Sequence, residues 1–402
     1  MSVWKILNDA EKITPYRLLM MMAWISTPIL YYLNIYLSRM NILFMKGSIL
    51  IPLLYIVLII ASFRELNIKL RNKGIVLYVI FSIIYLMTFA LFPQNSEHLE
   101  EESSAFFFNV LPFIFVGLFL DINRFQNSFT WLSVLSIITH VLYQTWYVAI
   151  TKGRTGLIED MVGAYLILPH VLFLVWMAVR NRSVISIGIA SLSVLFLFAM
   201  GNRGSFVCMA VFFLLLIMVP GIVKKKASRI LFIVLGLIVI TNSQQIALFL
   251  SNLFPQYGLS NRTFDMILSN EFLVSKGRDD IRSNLVAAIW NGPMLGYGLC
   301  GDRVIAGVSY AHNFFLEIIV DFGLFLGPLI CISYIIICIK AYRSCFTREE
   351  YAFLSVLLAN FIGLMFSGSF ILDYQWAFLL GYSIRLNNNR RAGMMNNSLS
   401  LA

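Results

Sequence analysis

Charge is what this sequence lacks most. Only 12% of its 402 residues are charged, against 59% hydrophobic, and its mean hydropathy is +0.82. A soluble domain cannot clothe its surface with so few charges, so the chain reads as a polytopic membrane protein. Cysteine is sparse too, with five residues at 208, 300, 331, 338 and 345. None forms a CxxC pair and most fall in or beside apolar runs. That argues against a zinc site or a disulfide framework and reads them as small apolar packers. No cleavable leader is expected from the start of this sequence: charged residues run to Arg17, and the apolar span that follows has no small-residue cleavage site. No internal repeat and no low-complexity stretch is visible.

What is present is a series of apolar runs. Twelve are expected as spans, at about 18–37, 47–63, 75–93, 105–120, 129–150, 161–179, 184–200, 205–223, 230–249, 314–339, 351–370 and 374–385. Each is near the roughly 20 residues a helix needs to cross a bilayer, except the short last one. Only helices satisfy their backbone in lipid with this pattern, so the expected fold is an all-α bundle. The expected organisation is helices 1–9 in 1–249, a long extracytoplasmic loop in 250–313 and helices 10–12 in 314–385. A disordered cytoplasmic tail is expected over 386–402.

The net charge of +10 could suggest nucleic acid, but its distribution argues otherwise. With the N-terminus inside, about two thirds of the Lys and Arg fall in cytoplasmic segments, while Asp and Glu lean outward. The basic excess is a topology signal, and no nucleic-acid partner is expected. Both termini are expected in the cytoplasm.

Three features converge on the outer face. In GNRGSF, 201–206, Arg203 sits in an expected tight turn, where glycines let backbone approach a ligand. The same arginine could equally snorkel to lipid headgroups. In KGRDDIRSNLVAAIWNGPMLGYG, 276–298, Ile281, Leu285 and Ile289 recur every four residues, predicting a short amphipathic helix lying on the membrane. Arg278 and Arg282 share one face of it, and either bind a ligand or pair with Asp279, Asp280 or lipid. In VSYAHNFFLEI, 308–318, His312 and Asn313 stand at the mouth of span ten, where a histidine is a polar cap or a catalyst. Glu317 and Asp321 follow at spacing four, near membrane depth, where ionisable groups are functional or paired. His140 and His170, in mid-span, read as structural hydrogen-bonders.

Arginines, a histidine and an acid outside a membrane, with no obvious metal ligands, suit a phosphate-bearing lipid. Arginine grips phosphate bidentately and stabilises charge on a leaving diphosphate. No nucleotide is expected there, so a transferase needs a lipid-carried, pre-activated donor. His312 or Glu317 would take a proton from an acceptor hydroxyl.

An arginine in a small-residue turn, GR opening a helix, NGPMLGYG, then AHNFFLEI followed by DFGLFLG together resemble the O-antigen polymerase and O-antigen ligase superfamily. The resemblance covers about 200–330; the first 200 residues agree in hydropathy and topology alone. It implies a glycosyltransferase of the bacterial inner membrane, without metal or other cofactor, acting on undecaprenyl-diphosphate-linked donor and acceptor. Arg203 and Arg278 would bind the diphosphate, His312 would act at the acceptor or the diphosphate, and Asn313 and Glu317 would complete the HN motif. One departure is Arg282, standing where the family often has an aromatic residue. Which of Arg278 and Arg282 makes the main phosphate contact stays open.

HN-x-x-LE with Asp321 and Gly323 looks more like polymerases of O-antigen or capsule than like ligases, which join glycan to the lipid A core. A chain-length regulator is a partner implied by the family. A lipid-linked oligosaccharide flippase is the rival from another class. It would predict related halves and a charged central cavity, and the sequence shows neither paired halves nor central charge.

Overall fold

The computed structural model describes residues 14–25, 29–33, 41–42, 45–46, 50–151, 161–200, 202–219 and 278–399, with isolated positions at 245, 248, 268 and 269. The expected span 230–249 and the first half of the long loop therefore lie outside the described residues. The described chain is a helix bundle. Its only strand pairing is a two-residue antiparallel contact of Asn41–Ile42 with Met45–Lys46.

The helices in chain order are α1 (Pro15–Trp24), α2 (Leu50–Ser62), α3 (Ile68–Leu91), α4 (Ser96–Ala105), α5 (Pro112–Phe119), α6 (Ile122–Thr151), α7 (Met161–Asn181), α8 (Val184–Ala199) and α9 (Arg203–Met218). Then come α10 (Arg278–Asn291), α11 (Gly301–Ala306), α12 (Phe314–Ser344), α13 (Arg348–Ile362) and α14 (Gln375–Leu399). Among the described residues, four stretches are long and apolar enough to cross a membrane: Ile68–Leu91, Pro93–Phe119, Gly163–Asn181 and Phe314–Ser344. α8 and α9 are apolar but shorter. This is a helical protein suited to a membrane.

Two expectations change here. The acidic segment before 105 was expected as a loop but is helical. Pro93 opens a 3-10 turn, and α4 runs through a π-helical stretch, Phe106–Val110, into α5. Glu and Ala are good helix formers, and Pro is tolerated in a first turn. The segment 386–402, expected as a disordered tail, instead continues α14 as helix to Leu399. No proline interrupts it.

Packing in the middle of the bundle rests on small residues and aromatic rings. α5 and α14 cross where Gly117 and Gly381 meet, and a Cβ on either would run into the partner helix's backbone. Trp24 stacks on Phe129 at 4.6 Å and donates to Ser133 Oγ at 2.9 Å. His170 Nδ1 also meets Ser133 Oγ, at 3.3 Å, and His140 bonds the Tyr32 hydroxyl. Both mid-span histidines are thus held by hydroxyls, and all five cysteines are buried thiols.

One end of the bundle gathers cations: Arg180 pairs Glu349 at 3.2 Å, Arg385 pairs Asp121 at 3.5 Å, and Arg390 donates to Arg343 O. The start of α4, α10, α11, the N-terminal part of α12 and the α13–α14 connection cluster together and carry the candidate site.

Candidate functional site

The site is built around a break in α12. Asn313 caps this helix, its Oδ1 accepting from Leu316 N at 3.0 Å. Nine residues into the helix, Gly323 takes φ 73, ψ 178, backbone open essentially to glycine alone. The freed carbonyls are taken up by the loop after α10. Val320 O accepts from Tyr297 N at 3.1 Å and Asp321 O from Gly298 N at 2.9 Å, while Phe325 N reaches Met294 O at 3.4 Å. Gly296 and Gly323 approach so closely that a Cβ on either would strike the other's backbone. Asn95 ties the same loop to the 3-10 turn before α4, donating to Tyr297 O and Leu299 O at 2.8 and 2.9 Å.

α10 forms where the apolar spacing predicts a helix and ends at Asn291, just before Gly292–Pro293. Its apolar stripe does not rest on the membrane as expected. Leu285 packs with Ala311 and Val320, and Ile281 and Ile289 flank them. The reason is that α11 and α12 offer a buried partner for this stripe. Trp290, Met294 and Leu295, 72%, 71% and 65% exposed, form the outward apolar patch instead.

This docking brings three expected site residues together. Arg278 Nη1 donates to Phe366 O at 2.6 Å rather than pairing with Asp279 or Asp280. His312 is half-buried at φ 54, its ring 4.2 Å from that of Tyr310. Burial, then the charges of Arg278 and Arg282, push its pKa down to about 4. The imidazole is therefore neutral at pH 7. Arg282 Nε and His312 Nδ1 are both buried with no hydrogen-bond partner among the described residues.

Arg203 is the first residue of α9 and does not sit in a free turn. Asn202 caps that helix, its Oδ1 accepting from Gly204 N at 2.8 Å. Tyr165 of α7 lies against Gly204, bonds Asn202 and stands within the field of Arg278.

Glu317 departs from the expectation of a base. It is 0% exposed, and both oxygens are engaged, Oε1 by Ser369 Oγ and Oε2 by Phe370 N at 2.9 Å. It is enclosed where an acceptor hydroxyl cannot reach it. Asn313 is likewise committed to capping, with a long contact from Nδ2 to Met365 O at 3.5 Å.

Several residues that sequence reasoning passed over prove central. Arg303, 1% exposed, donates to Ser309 O at 2.6 Å and to Ser369 Oγ at 3.1 Å, and stands 3.8 Å from Glu102. Asp302 accepts from Ala311 N at 2.8 Å, and burial raises its pKa. Asp321, which the sequence did single out, joins them by accepting from Cys300 N and Asp302 N at 3.2 and 3.4 Å. The 363–373 connection is the common floor, carrying the Phe366 carbonyl, Ser369 and Asp373, whose Oδ2 accepts from Ser369 N. An acidic–basic dipeptide, Asp302–Arg303, inside a hydrophobic chain was the one available signal. Among the described residues, no group of three or more His, Cys, Asp or Glu is placed to hold a metal ion.

No family model, no curated protein and no solved structure matches this chain.

Proposed function

We propose that the protein is a polymerase of bacterial surface polysaccharide. It would move a growing glycan from undecaprenyl diphosphate to a hydroxyl of a lipid-linked repeat unit. The proposal includes twelve spans in the inner membrane, with both termini cytoplasmic and the 250–313 segment outside. The observation that carries it is the meeting of Arg278, Arg282 and a neutral His312 where α10 docks on the start of α12.

Arg203, Arg278 and Arg282 hold the donor diphosphate and stabilise the charge it gains as the glycosyl–oxygen bond breaks. Neutral His312 takes the acceptor hydroxyl's proton as the new glycosidic bond forms, and undecaprenyl diphosphate departs. A base whose pKa is about 4 is weak. Burial depresses it most, and the diphosphate counters the second cause, the two guanidinium charges, so the base strengthens when donor is bound. Glu317 positions the site without touching substrate.

The test is the surface-glycan ladder of a deletion strain carrying Arg203→Ala or Arg278→Ala. Each variant, present at normal abundance, is expected to leave core bearing a single repeat. A normal long-chain ladder from either sinks the proposal. Bare core with accumulated lipid-linked polymer in the deletion strain replaces polymerase with ligase.

A further inference from the structure

The segment that presents His312 is short, non-helical and strained. Residues 309–313 lie between α11 and α12, and His312 holds a positive φ of 54° without being glycine. Such backbone persists only where its surroundings over-determine it. Two neighbouring side chains from α11 do so. The Arg303 guanidinium grips the Ser309 carbonyl at 2.6 Å, and the Asp302 carboxyl takes the Ala311 N–H at 2.8 Å. One holds an acceptor three residues before His312 and the other a donor one residue before it. Both side chains are buried, Asp302 at 0% and Arg303 at 1% exposure.

The clamp is anchored in turn. Asp302 N bonds Asp321 Oδ1 at 3.4 Å, and Arg303 Nη2 bonds Ser369 Oγ at 3.1 Å beside Glu102 at 3.8 Å. The His312 segment is thus referenced to α12, α4 and the 363–373 connection, the last of which also holds Arg278 through Phe366 O. Histidine and arginine share one frame.

We propose that Asp302 and Arg303 are positioning residues that fix the His312 imidazole relative to Arg278 by clamping both ends of residues 309–311. The catalytic part of this rests on the polymerase reading; the positional part does not. Misplacement of a reacting group by about 1 Å costs on the order of 10²-fold in rate. The Asp302 Oδ1 atom has no hydrogen-bond partner among the described residues. A carboxamide therefore keeps the one bond its carboxylate makes, its oxygen taking the Ala311 N–H and its NH₂ standing in the place of Oδ1.

The experiment compares full-length wild type, Asp302→Ala and Asp302→Asn in two assays. The first is acylation of His312 by diethyl pyrocarbonate, followed by mass spectrometry on purified protein, with His98 as internal control. Asp302→Ala is expected to raise the His312 rate several-fold while His98 stays constant, and Asp302→Asn to return it toward wild type. The second is elongation of a synthetic polyprenyl-diphosphate oligosaccharide. There Asp302→Ala is expected to lower kcat by about 10²-fold with donor KM within about twofold, because the arginines are untouched. Asp302→Asn recovers most of that loss.

Unchanged His312 acylation in Asp302→Ala overturns the clamp, as does a loss confined to KM. Faster acylation together with a wild type that elongates nothing keeps the clamp and removes the polymerase reading. Should Asp302→Ala fail to accumulate, Arg303→Lys carries the same two readouts. A single ammonium cannot serve Ser309 O, Ser369 and Glu102 at once, so the same acylation rise is expected, and its absence overturns the clamp.

Discussion

Removing the Glu317 carboxylate separates a structural role from a chemical one. Its two oxygens take the Ser369 hydroxyl and the Phe370 N–H, and that hydroxyl in turn accepts from Arg303 and from Ile371 N at 3.2 Å. Glu317→Ala therefore orphans two buried donors outright. Leaving a buried donor unsatisfied costs about 1–3 kcal/mol each. Glu317→Gln keeps one carbonyl acceptor and turns an NH₂ toward a donor, at a cost of about 1–3 kcal/mol. Ser369→Ala removes the link itself, so Glu317→Ala and Ser369→Ala should be non-additive by about 0.5–3 kcal/mol. The assay is reversible unfolding of the purified full chain in mixed micelles titrated with a denaturing detergent, with the glycan ladder measured at matched protein abundance. Glu317→Gln is expected to keep elongating. A Glu317→Ala stability within about 0.5 kcal/mol of wild type, or strict additivity with Ser369→Ala, refutes the network. A well-folded Glu317→Gln that elongates nothing returns Glu317 to the chemistry.

Two further outcomes are expected. His312 has a folded pKa below the ordinary imidazole value, so the unfolded chain binds the extra proton. Its contribution to stability is fully present above about pH 6.5 and is lost as pH falls toward about 4; His312→Gln should flatten that slope in acid unfolding curves. In elongation assays the acid limb of kcat/KM is expected well below that of kcat, because bound diphosphate offsets Arg278 and Arg282, and coincident limbs would remove that argument. Gly323→Ala meets both a glycine-only backbone and the Met294 carbonyl, so immunoblots of membranes should show markedly less protein.

The parts of the fold with a local cause were legible in the sequence. α10 was visible from Ile281, Leu285 and Ile289, and the start of α12 from Asn313 before an apolar run. The helical identity of the apolar runs followed from the demand that lipid places on backbone. What the stripe of α10 packs against was not legible, because an apolar face fits lipid and protein equally well. Glu317 was read as exposed enough for chemistry because spacing gives a face but no depth. The Asp302–Arg303 pair and Ser369 escaped notice because their partners are scattered along the chain, from Glu102 to Glu317 and the 363–373 connection. Arg203 and its neighbours were identified by type, while Tyr165, a ring among many in an apolar helix, carried no signal of its own.

The splice of the 294–298 loop into the broken helix bears on how this region tolerates change. Every bond in that splice runs from main chain to main chain. Position is thus specified at Gly296, Gly298 and Gly323 by the lack of a side chain, and the exposed side chains just before them are released from that duty. Met294 and Leu295 are free to vary in size and shape. A random substitution there should be silent far more often than one at the three glycines. The arginine-bearing helix hangs from a joint that mutation can repaint almost at will but cannot easily move.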